Sequence, residues 1–316
     1  MKSLMEFLRQ EGVSSLLLDR VAEYRKRYDT MEIPAETSRR IPQTKIRYYG
    51  TGVWEKAVAA LLSGENLLLA GPKATGKNVL AENLAELFGR PLWDVSFHVN
   101  VDASYLIGTD TYDGSRVTFR PGPIYNCAVY GGFGVLDEIN MARNEALAVL
   151  HAALDFRHVI DVAGYDRISV SPAARFIGTM NYGYAGTRDL NEALCSRFAV
   201  LDMPLIAEPD LERLLKDVFP AIKPKICQQF VYLFYEIEKK AQAAEISERA
   251  LDLRGLIDAI RLVEKGISSG DALEMCIVNK TFDAYERRLV MDVIKSRIPT
   301  DLKREDVFEQ TAGQGE

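Results

Sequence analysis

The stretch Leu67-Leu68-Leu69-Ala70-Gly71-Pro72-Lys73-Ala74-Thr75-Gly76-Lys77-Asn78 decides the fold. Its apolar opening reads as a buried strand, and the glycine-containing loop behind it runs into a segment of helical character, Val79 to Phe88. A loop so placed turns its backbone N–H groups around an anion, and the helix that follows adds the positive end of its dipole. Lys77 is suited to neutralise the outer phosphates, and Gly71 and Gly76 permit conformations and close approaches that a Cβ blocks. Pro72, Lys73, Ala74, Thr75 and Val79 complete the candidate contact with a nucleotide. Asn78 stands where Ser or Thr offers a hydroxyl to Mg2+. Its amide oxygen is also a hard, neutral ligand, so Mg2+ binding is expected to be weakened but not lost. Taken alone, the stretch also fits a glycine-rich turn with no ligand.

Outward from this loop, short apolar runs at Asn66–Ala70, Pro91–Phe97, Gly132–Leu136, Ala174–Met180 and Ala199–Met203 alternate with helical stretches such as Val79–Phe88 and Glu145–Leu154. Strands alternating with helices predict right-handed parallel crossovers and a three-layer α/β sheet. After Pro209, the segments Leu211–Val218, Cys227–Lys240, Ala250–Glu264 and Phe282–Ile294 read as helices with no strands among them. The expected organisation is an N-terminal helical appendage and linker over 1–45, an α/β nucleotide-binding core over 46–207, a smaller all-helical lid over 208–300, and a tail over 301–316, flexible at its end. The appendage reading rests on two short amphipathic helices before Tyr28, separated by Gly12, and on Pro34 and Pro42, which disfavour helix.

The apolar run Phe133-Gly134-Val135-Leu136 ends in Asp137-Glu138. In an open α/β sheet the carboxyl ends of neighbouring strands face one crevice, so Asp137 is placed to hold Mg2+ opposite the phosphate loop. Glu138, one residue farther, is placed to act as general base on an attacking water. An acidic pair kept for solubility is the competing reading.

The segments Gly71 to Asn78 and Val135-Leu136-Asp137-Glu138-Ile139-Asn140 resemble the Walker A and Walker B motifs of the MoxR-like and dynein-related AAA+ ATPases. Further pieces follow in that family's order. Leu106-Ile107-Gly108 and Phe119-Arg120-Pro121-Gly122-Pro123-Ile124 resemble the helix-2 insertion, which makes Tyr112 to Arg120, turned at Asp113-Gly114, a candidate partner-contact hairpin. Ile177-Gly178-Thr179-Met180-Asn181 is similar to sensor 1, and the resemblance assigns Asn181 to hold the attacking water; a strand-end Asn is otherwise a turn residue. Gly186-Thr187-Arg188-Asp189 and the residues through Phe198 resemble the run toward the arginine finger, with Arg197 as the finger. Leu253-Arg254-Gly255 resembles sensor 2, with Arg254 reaching the bound phosphates; Arg249 competes for that register. The resemblance covers about Tyr48 to Ser269. It implies ATP hydrolysis with Mg2+, a hexameric ring in which each finger completes a neighbour's site, and remodelling of a partner protein, one bearing a von Willebrand factor A domain in this clade.

Composition sets outer bounds. With 316 residues, 47% apolar and 27% charged, the chain supports two soluble domains. A net charge of −6 and a pI near 5.4 disfavour nucleic acid as the main partner. Four scattered cysteines and three histidines suggest neither zinc site nor disulfide framework. No stretch approaches the span a bilayer needs, and a cytoplasmic location is expected. Two rival readings stand beside the motor: a nucleotide-gated binding module with little turnover, which Asn78 favours, and a nucleic-acid-directed AAA+ subunit. A small-molecule kinase is more distant, because the helical segment lies C-terminal to the core.

Overall fold

The computed structural model describes residues 3–112, 114–162, 164–181 and 190–310. Its described strands, in chain order, are β1 (Asn66–Ala70), β2 (Leu92–Ser96), β3 (Gly108–Tyr112), β4 (Val117–Pro121), β5 (Phe133–Asp137), β6 (Val159–Ile160), β7 (Ile168–Ser169), β8 (Arg175–Met180) and β9 (Phe198–Asp202). Five of them form a parallel sheet in the order β2-β5-β8-β1-β9. The other four make two antiparallel hairpins, β3 with β4 and β6 with β7.

The sheet is parallel because its strands are apolar along their whole length, a pattern that requires cover on both faces. All five residues of β1 are buried. Leu67 and Leu69 point into one layer and Leu68 into the other, as strand alternation dictates. The first layer holds helices Leu4–Gln10, Ser15–Tyr28, Thr51–Leu62 and Lys77–Phe88, and the second holds Ala103–Ile107, Pro123–Tyr130 and the segment 144–154.

The described residues fold as two compact units, one made of the chain up to Pro72 with Gly76–Pro204, the other of Lys73–Thr75 with the chain from Leu205 onward. The first 45 residues are thus not set apart from the core. Leu8, Leu18 and Val21 are fully buried in the same cluster as Leu61, Leu84 and Phe88. Tyr24 donates its hydroxyl to the Ala173 carbonyl at 2.5 Å and lies under the Arg175 guanidinium. Arg90, 4% exposed, donates to the carbonyls of Tyr28, Tyr130 and Gly131. Amphipathic helices this short carry no stability of their own, and packing their apolar stripe on the sheet layer is what forms them.

The expected helix Glu145–Leu154 is present as a continuous helical run over 144–154, in which a 3-10 turn, Ala148–Leu150, joins the α-helical pieces Asn144–Leu147 and His151–Leu154. The second unit contains helices Glu208–Val218, Pro224–Gln242, Leu253–Glu264, Ser269–Cys276 and Ala284–Arg297 and no named strand among its described residues. Residues 301–310 are tied into it: helix Arg304–Val307 is followed by Phe308, which bridges to Ile222, and Glu309 N donates to the Ala221 carbonyl at 2.8 Å. The first unit ends at Pro204, a few residues before the boundary expected near 207. The rest of the expected tail, 311–316, lies outside the described residues, as do Asp113 and the stretch 182–189.

Candidate active site

The loop after β1 is shaped by two local constraints. Gly76 sits at φ +78°, in the left-handed region, and a Cβ there would stand 3.2 Å from the Tyr48 ring. Gly71 has no such dihedral, but a Cβ would meet the Met203 carbonyl oxygen at 2.8 Å. Ala74 also adopts positive φ, 63°, without being glycine. Helix Lys77–Phe88 starts directly after Gly76, which supplies no side-chain cap. Tyr48 is itself fixed: its N–H donates to Asn83 Oδ1 at 3.0 Å and its carbonyl accepts from Trp54 Nε1 at 2.9 Å.

Lys77, only 8% exposed, curls over the loop and donates from Nζ to the carbonyls of Gly71 at 2.9 Å and Pro72 at 2.7 Å. Burial lowers its pKa from 10.5 to about 8, and the carboxylates of Asp137 and Glu138 work in the opposite direction. Those two acids arrive from the end of β5, next to β8, which in turn lies beside β1. Asp137 is gripped on both oxygens: Oδ1 accepts from Thr179 Oγ1 at 2.6 Å and Oδ2 from Asn78 Nδ2 at 3.1 Å.

Glu138 leaves the strand at φ +54°, ψ +43°, an unusual geometry for a side chain of this size. That turn sends its backbone N–H to Thr179 Oγ1 at 3.1 Å and brings its carboxylate to Asn181, whose Nδ2 donates to Glu138 Oε1 at 3.3 Å. The Asn181 carbonyl in turn accepts from Asn140 Nδ2 at 3.0 Å. Lys77, Asn78, Asp137, Glu138 and Asn181 therefore share one crevice at the carboxyl ends of β1, β5 and β8. Val79 is half-buried in the first turn of the helix.

Two residues without an assigned role in the sequence reading hold this arrangement. Thr179, 1% exposed, both donates to Asp137 and accepts from Glu138. Asn140, 4% exposed, steadies the Asn181 backbone. Thr179 shows in the sequence as a polar side chain inside an apolar strand and Asn140 as one just past the acidic strand end, and only the strand pairing reveals what each touches. Beside the loop, an open cleft of ≈ 470 Å³ is lined by Gly50, Val53, Lys56 and the end of β9, Leu201-Asp202.

Arg197 is not in this group. It precedes β9, whose first residue Phe198 pairs with Asn66 at the amino end of β1, whereas the loop leaves from the opposite end. Four residues of extended strand, roughly 13 Å, separate the two ends. Its guanidinium donates to the His151 carbonyl at 3.2 Å, to the Ala193 carbonyl and to Asp155 Oδ2 at 3.3 Å. Hydrogen bonds from Arg157 first, and from Arg197, hold the Asp155 carboxyl well below the usual range. The residues 186–189 that led into this motif lie outside the described ones. Arg254 is exposed in the first turn of helix Leu253–Glu264 of the second unit, and Arg249 lies over the Phe282 ring at 6.0 Å.

The hairpin expected at Tyr112 to Arg120 is present as β3–β4, with Tyr112 and Val117 exposed. The β6–β7 hairpin was not anticipated. It meets the first through Tyr165, which donates to Asp110 Oδ1 at 2.5 Å and packs on Phe119. All four cysteines are free, and among the described residues no helix is long and apolar enough to cross a membrane.

Comparison with known proteins agrees with this geometry. The family model for the AAA domain, dynein-related subfamily, matches residues 66–198, from the start of β1 to the start of β9. The chain is 33% identical over 245 residues to the Bacillus subtilis protein YojN, covering 76% of this chain and 80% of that one. A Staphylococcus epidermidis protein is 29% identical over 259 residues, or 80% of this chain and 98% of its own length. Both relatives are described as uncharacterized. Among solved structures, a RuvB variant of Thermotoga maritima is similar at 18% identity and a TM-score of 0.44, over 79% of this chain and 69% of that one. With the phosphate loop, the acidic strand end and this match in hand, the chain belongs to the dynein-related subfamily of the AAA+ ATPases.

Proposed function

We propose that the chain hydrolyses ATP with Mg2+ as a MoxR-like motor, working in a ring of copies, hexameric as the family resemblance implies, to remodel a partner protein. The observation that carries this reading is the linked set Lys77, Asp137, Thr179, Glu138 and Asn181 at the carboxyl ends of adjacent strands. Loop amides over Gly71–Gly76, with Pro72, Lys73, Ala74 and Thr75 between them, and Lys77 take the phosphates. Asp137 offers a hard carboxylate oxygen to a cation completed by phosphate oxygens and water, and the Asn78 amide oxygen joins it as a second donor once the amide turns from Asp137. When bound, Mg2+ neutralises charge on the outer phosphates.

Glu138 takes a proton from the attacking water, and Asn181 fixes the carboxylate for that task. Arg197 lies too far from its own loop to act there, which favours service to a neighbouring copy, where a guanidinium fork stabilises charge in the transition state. The family resemblance makes Arg254 the candidate sensor 2 arginine, with Arg249 competing for that register. The partner is a protein, with a von Willebrand factor A-domain protein as first candidate, and the net charge of −6 places nucleic acid behind it.

The test is Glu138→Gln. It is expected to keep ATP affinity within a few-fold while turnover falls by about 10²-fold or more, the range for loss of a general base. Calorimetry showing no uptake of adenine or guanine nucleotide by the wild-type chain would overturn the proposal. A nucleotide-gated binding module remains the second reading because Asn78 already occupies Asp137; normal affinity with turnover near zero in the wild type selects it.

A further inference from the structure

The Asp137 carboxylate is held in two different ways. Oδ1 accepts from Thr179, a buried hydroxyl inside the sheet, at 2.6 Å; Oδ2 accepts from Asn78, an exposed amide at the mouth of the site, at 3.1 Å. The oxygen that faces the phosphate loop is thus the one under Asn78. A Ser or Thr hydroxyl at position 78 carries its hydrogen and its lone pairs on one atom, so it can donate to the carboxylate and ligate a cation together. An Asn amide carries them on separate atoms. With its NH2 group on Asp137, the amide turns a positive edge toward the place a cation must occupy. To ligate, it has to rotate and give up the Asp137 bond.

We infer that Asn78 is a latch on Asp137 that competes with the divalent cation, so that cation binding requires the amide to release the carboxylate. The inference rests on the ATPase reading above and adds a regulation to that same site. A latch differs from a merely poor ligand in one measurable way. Removing a poor ligand weakens cation binding, whereas removing a latch strengthens it or leaves it no worse.

The experiment titrates Mn2+, followed by its free-ion electron paramagnetic resonance signal, into wild type, Asn78→Thr and Asn78→Ala. Each protein is held with a saturating non-hydrolysable ATP analogue, and thermal melting is recorded alongside. Because Asn78 is exposed, all three are expected to melt alike. Asn78→Thr should bind Mn2+ about tenfold more tightly than wild type, the size of one charge-assisted hydrogen bond no longer surrendered. Asn78→Ala should bind at least as tightly as wild type. Weaker binding by Asn78→Ala, or identical titrations in all three, overturns the latch while leaving the ATPase reading intact. If a fluorescent ATP analogue binds none of the three, with or without Mn2+, the underlying reading falls and the latch with it.

Discussion

At Lys77 burial and nearby charge act in opposite directions. Its folded pKa of about 8 lies below the ordinary 10.5 because burial outweighs the two nearby carboxylates. In the ligand-free protein it is therefore charged at neutral pH and loses its proton as pH rises through about 8. A bound polyphosphate favours the charged form and raises the pKa again. At pH of about 9, nucleotide binding should then take up on the order of one proton per site. Calorimetric enthalpies measured in buffers of different ionisation enthalpy check this, and zero uptake refutes it.

Thr179 makes a second prediction at this scale. Thr179→Val keeps the shape but strands the Glu138 N–H and removes a donor from Asp137. It should cost about 1–3 kcal/mol of stability in denaturant unfolding and lower turnover with little change in nucleotide affinity. The sequence singled out Asp137, Glu138 and Asn181 because each follows or closes an apolar run, where parallel strands present ligands, and Lys77 because it closes the glycine-containing loop. It assigned no role to Thr179, inside β8, or to Asn140, in the 3-10 turn after β5, since what each touches depends on a register set by residues about 40 positions away in the chain.

Among the elements, the sheet strands were legible to within one or two residues, because a continuous apolar run bounded by polar loops has few other solutions. The helical run 144–154 was legible as well, but not the 3-10 turn at its middle, which changes the hydrogen-bond spacing and leaves the apolar residues facing the same layer. The N-terminal helices carry the larger lesson. Their amphipathic pattern identified a buried face but not its partner, which turns out to be the sheet layer holding Leu61 and Phe88. Leu18→Ala, at a position with no exposure, should therefore destabilise the first unit by about 2–5 kcal/mol. A detached appendage would show a change near zero in the same unfolding experiment.

At the scale of the molecule, the proposed catalytic groups are divided between the two ends of β1. Glu138→Gln has an intact Arg197, and Arg197→Ala has an intact Glu138. Each variant alone should be nearly inactive, and mixing them should restore part of the turnover through junctions that pair the two sound halves. Turnover in the mixture no higher than in either parent would remove Arg197 from the mechanism. The distance between those ends has a further consequence for assembly. In a pair of chains related by a two-fold axis, residue i meets j and j meets i, so one self-complementary patch has to hold both the Arg197 edge and the phosphate crevice. The head-to-tail contact of the proposed ring uses two different patches instead, and because an open row of copies leaves one edge and one crevice unmatched at its ends, its growth stops only when the arc closes on itself.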